Sequence, residues 1–247
     1  MDLVAKHAVQ DVGLLEAYYD VLSARLLDKG VSVRKRILKF LREVCSEAID
    51  LSLVADACGK IVRRLNDEEE SIQDLVVKYV QDVLFAPIAS SSDESTHTMF
   101  SRMPVGCKKE CQRRIQILVR LIEGGISSET LSDLFRRILS VENASEIQDI
   151  FNVLIGCLMD SLVGLSIEGN QLAELSQITG AMLVLGEPFP AALSDACPHL
   201  LPILAKLETV GPVESFGISR NIRNRWDPRT PSHCTMSFLL SALLCCS

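Results

Sequence analysis

Arg25-Leu26-Leu27-Asp28 recurs 39 residues later as Arg64-Leu65-Asn66-Asp67, and that recurrence decides the fold. With the two stretches superposed, Val33 falls on Ile72, Ile37 on Val76, Phe40 on Tyr79, Leu41 on Val80 and Val44 on Val83. Polar positions follow the same offset, with Lys39 on Lys78 and Glu43 on Asp82. Apolar residues matched at helical spacing define the same buried face twice. A period of about 40 residues is that of a stacked helix pair. One such pair cannot bury its own apolar face and needs neighbours on both sides. The acid at each turn supplies a shared local mechanism: a carboxylate there can accept free amide N–H groups at the start of the second helix.

Outward from this unit, helical periodicity dominates the chain. Amphipathic helices are predicted over 14–28, 31–46, 50–65, 69–85, 108–123, 128–140, 145–165 and 169–185. A ninth, broken near Pro198 and Pro202, is expected over 188–208. No run has the strict alternation or β-branched density of a strand. Gly30 is read as a left-handed helix end, with Ser32 offering a cap to the next helix. Gly124-Gly125 followed by Ser128-Glu129-Thr130-Leu131 is a break and a restart. The fold class is therefore all-α, a HEAT-type helical-repeat solenoid of roughly four units. Its expected organisation is HEAT repeats over 1–87, a flexible Ser-rich loop over 88–107, further HEAT-like helices over 108–210, and a disordered tail over 211–247. The tail loses helical periodicity and ends in Cys245-Cys246-Ser247.

Composition narrows function by exclusion. The chain has 247 residues with 25 Lys and Arg against 32 Asp and Glu, a net charge of −7. A polyanion-binding role for the whole surface is thereby disfavoured, though a local basic face is not. No apolar run approaches the roughly 20 residues of a membrane-spanning helix, so no membrane partner is expected. The nine cysteines are scattered and odd in number, which reads as reduced, mostly buried thiols. Cys107 and Cys111 have helical spacing but lack the further ligands that zinc requires, so no metal is expected. The four histidines, at 7, 97, 199 and 233, are well separated. His199 next to Cys197-Pro198 has no orienting partner or oxyanion donors to make a nucleophilic pair. Phosphate-cradling and nucleophile motifs are absent. The expectation is a non-enzyme with no catalytic residues and no cofactor.

The solvent-side residues of the repeat are the specific part. Ala17-Tyr18-Tyr19-Asp20-Val21-Leu22, Arg25 through Ile37, Ile61-Val62-Arg63-Arg64-Leu65-Asn66-Asp67-Glu68-Glu69 and Val83-Leu84-Phe85-Ala86-Pro87 closely resemble the HEAT segment of the Nipped-B (adherin) cohesin loader family. Residues 108–208 are similar to a lesser degree, most clearly over 177–204. The resemblance implies a nuclear chromatin protein: a non-catalytic scaffold that promotes loading of cohesin onto chromatin and sister chromatid cohesion. Its implied partners are cohesin subunits (SMC heads and kleisin) and DNA, the latter bound without regard to sequence. A Mau2-type partner is implied only through an N-terminal region missing here, and the chain is accordingly read as a fragment. The alternative is an importin-like or phosphatase-scaffold-like HEAT adaptor that binds proteins only.

Charge singles out one candidate surface. Residues 25–42 carry seven bases against one acid, a local charge of +6 in a chain of −7. On a helical wheel, Lys35, Lys39 and Arg42 lie opposite the buried face, with Arg34 and Arg36 on its flanks. Arg34, Lys35, Lys39, Arg42, Arg63 and Arg64 are therefore candidate DNA phosphate contacts, which would be sequence-blind and salt-sensitive. Lys108, Lys109, Arg113 and Arg114 are candidates to extend the stripe. The competing reading is a solvated helix face, with Arg34 bonding inside the turn.

Overall fold

The computed structural model describes residues 11–88, 105–140, 144–164 and 172–190. Within them the chain is all-α, in the HEAT-type helical-repeat arrangement expected. The helices are α1 (Val12–Ala24), a 3-10 turn (Arg25–Leu27), α2 (Val31–Glu47), α3 (Leu51–Val62) and α4 (Glu70–Leu84). They are followed by α5 (Val105–Glu123), α6 (Ser128–Leu139), α7 (Ala144–Gly164) and α8 (Leu172–Gly186). No described helix is long and apolar enough to cross a membrane.

Local chemistry sets most boundaries. Asp11 caps α1 by accepting from the N–H groups of Gly13 and Leu14, and Asp50 does the same for Ser52 and Leu53 at α3. Ser127 caps α6 through the Thr130 N–H. Gly125, at φ 79°, takes the left-handed turn between α5 and α6, where a side chain would be strained. Gly30 does not: it is the extended N-cap of α2, at φ −79° and ψ 114°. Its amide is held instead by the Asp28 carboxylate at 2.9 Å, so neither a left-handed glycine nor a Ser32 cap is used. Helix α1 stops at Ala24, short of Asp28, and the chain tightens into the 3-10 turn. At the other end, α5 starts at Val105, three residues before Lys108. Cys107 and Cys111 are both buried and extend its apolar stripe backwards. The rest of the loop read over 88–107 (residues 89–104), the ninth helix beyond Pro190, the 211–247 tail and all four histidines lie outside the described residues.

The chain divides into two compact units, residues 1–88 with 112–147, and residues 89–111 with 148–247. In the first, α2 packs on α3 and α4, and α4 packs on α6. Most repeat positions meet as expected: Ile37, Phe40, Leu41, Val44, Ile72, Val76, Val80 and Val83 are buried, whereas Val33 and Tyr79, matched to Ile72 and Phe40, are only half-buried. Leu38, Ile61, Leu65, Leu121, Leu134 and Phe135 fill the same core, with Phe85 edge-on to Phe135 at 5.3 Å. A side chain of this kind contributes about 1.5–3 kcal/mol when fully buried. Cys45 and Cys58 lie in it as buried free thiols, the Cys58 thiol raised by a hydrogen bond with Cys45 and by burial. In the second unit Phe151, Leu154, Cys157, Leu158, Met182 and Leu185 are buried, and Phe151 meets Phe189 edge-on at 6.2 Å. Burial, with Cys111 and Asp160 nearby, pushes the Cys157 thiol up to about 12.

Candidate interaction surface on the second helix

The basic run begins in the turn that the repeat defines. Asp28 and Asp67 each fold a carboxylate back onto an amide two residues on, Gly30 at 2.9 Å and Glu69 at 3.2 Å. Arg34 Nη1 donates to the carbonyls of Asp28 and Lys29, at 2.9 and 3.2 Å, and its Nη2 reaches Asp67 Oδ1 at 3.0 Å. Arg34 thus fastens one turn to the next. Gln73, which is 39 residues after Arg34, repeats the move: its Nε2 donates to the Asp67 carbonyl at 2.7 Å, and its Oε1 accepts from Arg137 Nη1 at 3.0 Å. Arg64 closes on Asp67 Oδ2 at 3.7 Å. The side chains of Arg34 and Asp67 are only 11% and 4% exposed, so this pair is internal, with Arg34 Nε buried and unpartnered among the described residues.

Arg42 is also committed. Its Nε meets Asp82 Oδ2 at 3.1 Å, its Nη1 meets Glu43 Oε1 at 3.4 Å, and the guanidinium lies 5.6 Å from the Tyr79 ring centroid. Burial raises the Tyr79 hydroxyl's pKa, although Arg42 and Lys39 pull against it. Arg63 is an exposed residue whose Nη2 donates to the Gly124 carbonyl at 2.9 Å. Lys35 is half-buried and Lys39 exposed on α2, with Arg36 exposed beside them and Lys78 exposed on α4. Of the six candidate phosphate contacts, Arg34 and Arg64 therefore sit inside the turn stack and Arg42 is offset by two carboxylates. Lys35 and Lys39 form the outward part. Arg113 and Arg114, read as extensions of the stripe, turn inward. Arg113 donates to the Cys45 carbonyl at 3.2 Å, and Arg114 to the carbonyls of Leu84 and Ala86 at 3.2 and 2.7 Å, satisfying helix ends.

A second polar constellation went unread in the sequence. The Tyr19 hydroxyl of α1 donates to Asp56 Oδ2 of α3 at 2.6 Å, Lys60 Nζ meets the same oxygen at 2.9 Å, and Lys60 donates to Ser23 Oγ at 3.0 Å. The ammonium also stands 4.2 Å from the Tyr19 ring centroid. Burial alone would raise the Asp56 carboxyl, but the Tyr19 and Lys60 hydrogen bonds hold it below the usual range. Burial and the bond to Asp56 raise Tyr19. The available signal was a spacing of 37 residues, close to one repeat, between a tyrosine and an acid on successive outer helices. Further along, α3 and α5 leave a groove of about 510 Å³ lined by Ser52, Asp56, Gly59, Arg63, Arg120 and Gly124. Arg120 bonds across it to Ser52 Oγ. Among the described residues no group of three or more His, Cys, Asp or Glu side chains is placed to hold a metal ion. What this arrangement offers is charge and shape, distributed over successive helices.

No protein-family model matches the chain. Curated relatives do. The chain is 46% identical over 87 residues to the Nipped-B protein of Drosophila melanogaster, which covers 35% of this chain and 4% of that protein. It is 38% identical over 95 residues to the Nipped-B-like protein of Homo sapiens, covering 38% and 3% respectively. Over a longer stretch of 229 residues it is 24% identical to the sister chromatid cohesion protein mis4 of Schizosaccharomyces pombe, covering 85% of this chain and 14% of the relative. The chain thus spans only a small part of each relative. Among solved structures, the C-terminal fragment of the Chaetomium thermophilum cohesin loader SCC2 matches 85% of the chain at 16% identity with a TM-score of 0.65, and covers 14% of that fragment. That match carries the helical-repeat fold.

Proposed function

We propose, taking this chain as a Nipped-B-like segment, that it is a non-catalytic HEAT-type scaffold acting at chromatin in the nucleus. Its work would be to support the loading of cohesin and sister chromatid cohesion by holding macromolecules against its helix faces. The observation that carries the reading is the similarity to relatives named for Nipped-B and for sister chromatid cohesion. A stack of helix pairs joined by internal polar turns favours it: such a stack offers long rigid faces, and its charged groups are spread along them.

DNA is the partner proposed for α2, through phosphates. The contacting residues proposed are Lys39, exposed on α2, and the half-buried Lys35 one turn before it; Arg63 already donates to the Gly124 carbonyl. Arg34, Arg64 and Arg42 serve by holding α2 in place, because their guanidinium groups already have carboxylates or carbonyls. Lysine ammonium groups on a helix face meet phosphate as point charges and read no bases. Cohesin subunits are the proposed protein partners of the remaining faces.

The test is the pair Lys35→Glu with Lys39→Glu, compared with the unaltered chain on one duplex and on a scrambled duplex at two salt concentrations. Binding should weaken equally on both duplexes. The slope of log K against log salt should flatten by about 1.8, since each lost phosphate contact removes about 0.9. Unchanged binding with an unchanged melting temperature would return α2 to a merely solvated face. Loss on one duplex only would contradict a loader-like platform.

A further inference from the structure

Helix α3 presents small residues to the groove it shares with α5. Ser52, Ala55 and Gly59 follow one another there at helical spacing, and Arg63 ends the line. A glycine inside a helix costs about 1 kcal/mol against alanine, and nothing in the packing requires one at Gly59. A Cβ there would meet Leu121 Cδ2 at 3.5 Å and Arg63 Nη1 at 3.7 Å, which are ordinary contacts. What the glycine does is keep the groove deep. The opposite wall is the last turn of α5 and the residues after it, with Arg120, Leu121, Gly124 and Ile126. Helix α3 meets α1 through Asp56 and Lys60 and meets α5 through Arg63 and Ser52. The groove therefore runs between consecutive helices, not along an end of the stack.

Two guanidinium groups border this space from opposite walls. Arg63 Nη2 donates to the Gly124 carbonyl at 2.9 Å, and Arg120 Nη1 donates to the Ser52 hydroxyl. Both acceptors are neutral. Arg34, Arg42, Arg64 and Arg137 each have a carboxylate partner, whereas neither Arg63 nor Arg120 forms an ion pair among the described residues. A guanidinium carries five N–H donors in a planar fork, and each of these two bonds uses one. The lining also holds two acids. Asp56 is taken by Tyr19 and Lys60, and Glu123 is itself engaged.

We propose that the groove receives an acidic peptide segment of a partner protein, with one aspartate or glutamate carboxylate held between Arg63 and Arg120. Paired arginine forks recognise a carboxylate through charge-assisted, two-pronged hydrogen bonds. Ala55 and Gly59 on one wall, with Leu121 and Ile126 on the other, take the apolar stem of that residue and its small neighbours. The volume of about 510 Å³ suits a few side chains. A DNA duplex is too wide to enter, and Asp56 and Glu123 oppose a run of phosphates. The site is separate from Lys35 and Lys39, so it stands whether or not α2 meets DNA.

The test begins with a display library of random heptapeptides panned on the full chain, from which the enriched peptide is synthesised with a fluorescent label. Asp or Glu should be enriched at a fixed position beside small or apolar residues. Replacing that residue by its amide should weaken binding at least about tenfold, the value of a charge-assisted hydrogen bond. Arg63→Gln with Arg120→Gln should cause a loss of the same size. Because both arginines also tie α3 to α5, Gly59→Met supplies a variant that keeps them. It fills the groove from one wall and favours the helix, and it too should weaken the peptide at least about tenfold. Lys78→Gln, an exposed charge on α4, is the comparison and should leave the affinity unchanged. If either groove variant folds poorly by circular dichroism, the acid and amide peptides on the unaltered chain still decide. Panning that enriches no acidic peptide overturns the proposal, as does equal affinity for the amide peptide. So do binding that survives Gly59→Met in a folded chain, equal loss with Lys78→Gln, or a double arginine variant that loses a DNA duplex and keeps the peptide.

Discussion

Two turns of the same design, at Asp28 and at Asp67, carry very different weight. In each the carboxylate accepts an amide two residues on, an arginine sits three residues before, and a side chain six residues later donates to the aspartate carbonyl. Yet the Asp28 side chain is 30% exposed, with Arg25 at 3.9 Å. Asp67 is nearly sealed and takes Arg34 from the preceding turn at 3.0 Å as well. The local motif is equal; the stacking is not. A carboxylate gains its energetic role from the neighbour that closes over it, because removal from water makes both the pairing and its loss more costly.

The sharpest way to break this comparison is Arg34→Met. It leaves the Asp67 carboxylate buried with only the more distant Arg64, and global stability should fall by about 3–5 kcal/mol, read by urea denaturation. Asp67→Asn in the same background should return part of the loss, since the uncompensated charge goes with it. A loss below about 1 kcal/mol for Arg34→Met would mean that the two turns do not differ as their burial implies.

Next in size is the core beneath the turns. Val76→Ala should cost about 1–3 kcal/mol and Val33→Ala less than half of that, although the two belong to the same amphipathic pattern. Val76 is sealed, whereas Val33 remains half-buried at the edge of α2. Equal costs would show that the first repeat is covered as fully as the second.

The outer helices give a smaller effect with a pH signature. Tyr19→Phe should cost about 1 kcal/mol, under the usual range for a hydrogen bond to a charged group because Asp56 is half exposed. The folded Asp56 carboxyl has a lowered pKa, so its contribution is present above the unfolded value of about 3.9 and disappears as pH falls through the folded value. Tyr19 runs the other way: its raised pKa gives a contribution that is present below about 10 and lost as pH climbs above it. The difference in stability between the unaltered chain and Tyr19→Phe should therefore be flat near neutrality and shrink at both extremes. A difference that stays constant down to pH 2 would remove Asp56 from the account. Smallest of all, Asp28→Ala should cost about 0.5–1 kcal/mol, the value of a partly exposed turn carboxylate.

Much of this was legible before any coordinates. The matched pairs Ile37 with Val76 and Val44 with Val83 came from spacing alone, since a buried stripe must recur every three or four residues on each helix. The turn acids were legible for a similar reason: a carboxylate two residues before a free amide has one obvious use. The basic stripe was legible as a cluster but not in its division. A helical wheel sets Lys35, Lys39 and Arg42 on one side with Arg34 on the flank, but it does not show which of them is paired. The partners that separate them, Asp67 and Asp82, lie 33 and 40 residues away, on the next helix pair.

Sequence by itself determined the all-α class, the repeat period, most of the buried face of α2 and α4 and the similarity to Nipped-B-like proteins. These are properties of one helix, or of one chain set against another. Tertiary structure decided which charges are spent inside. Arg34, Arg64, Arg113 and Arg114 became struts, Arg42 was neutralised, and Lys35 and Lys39 were left facing outward. The physical reason is that a charge's role depends on what stands within about 4 Å of it and on how much water remains there. In a stack of helix pairs, that neighbour belongs to a different repeat.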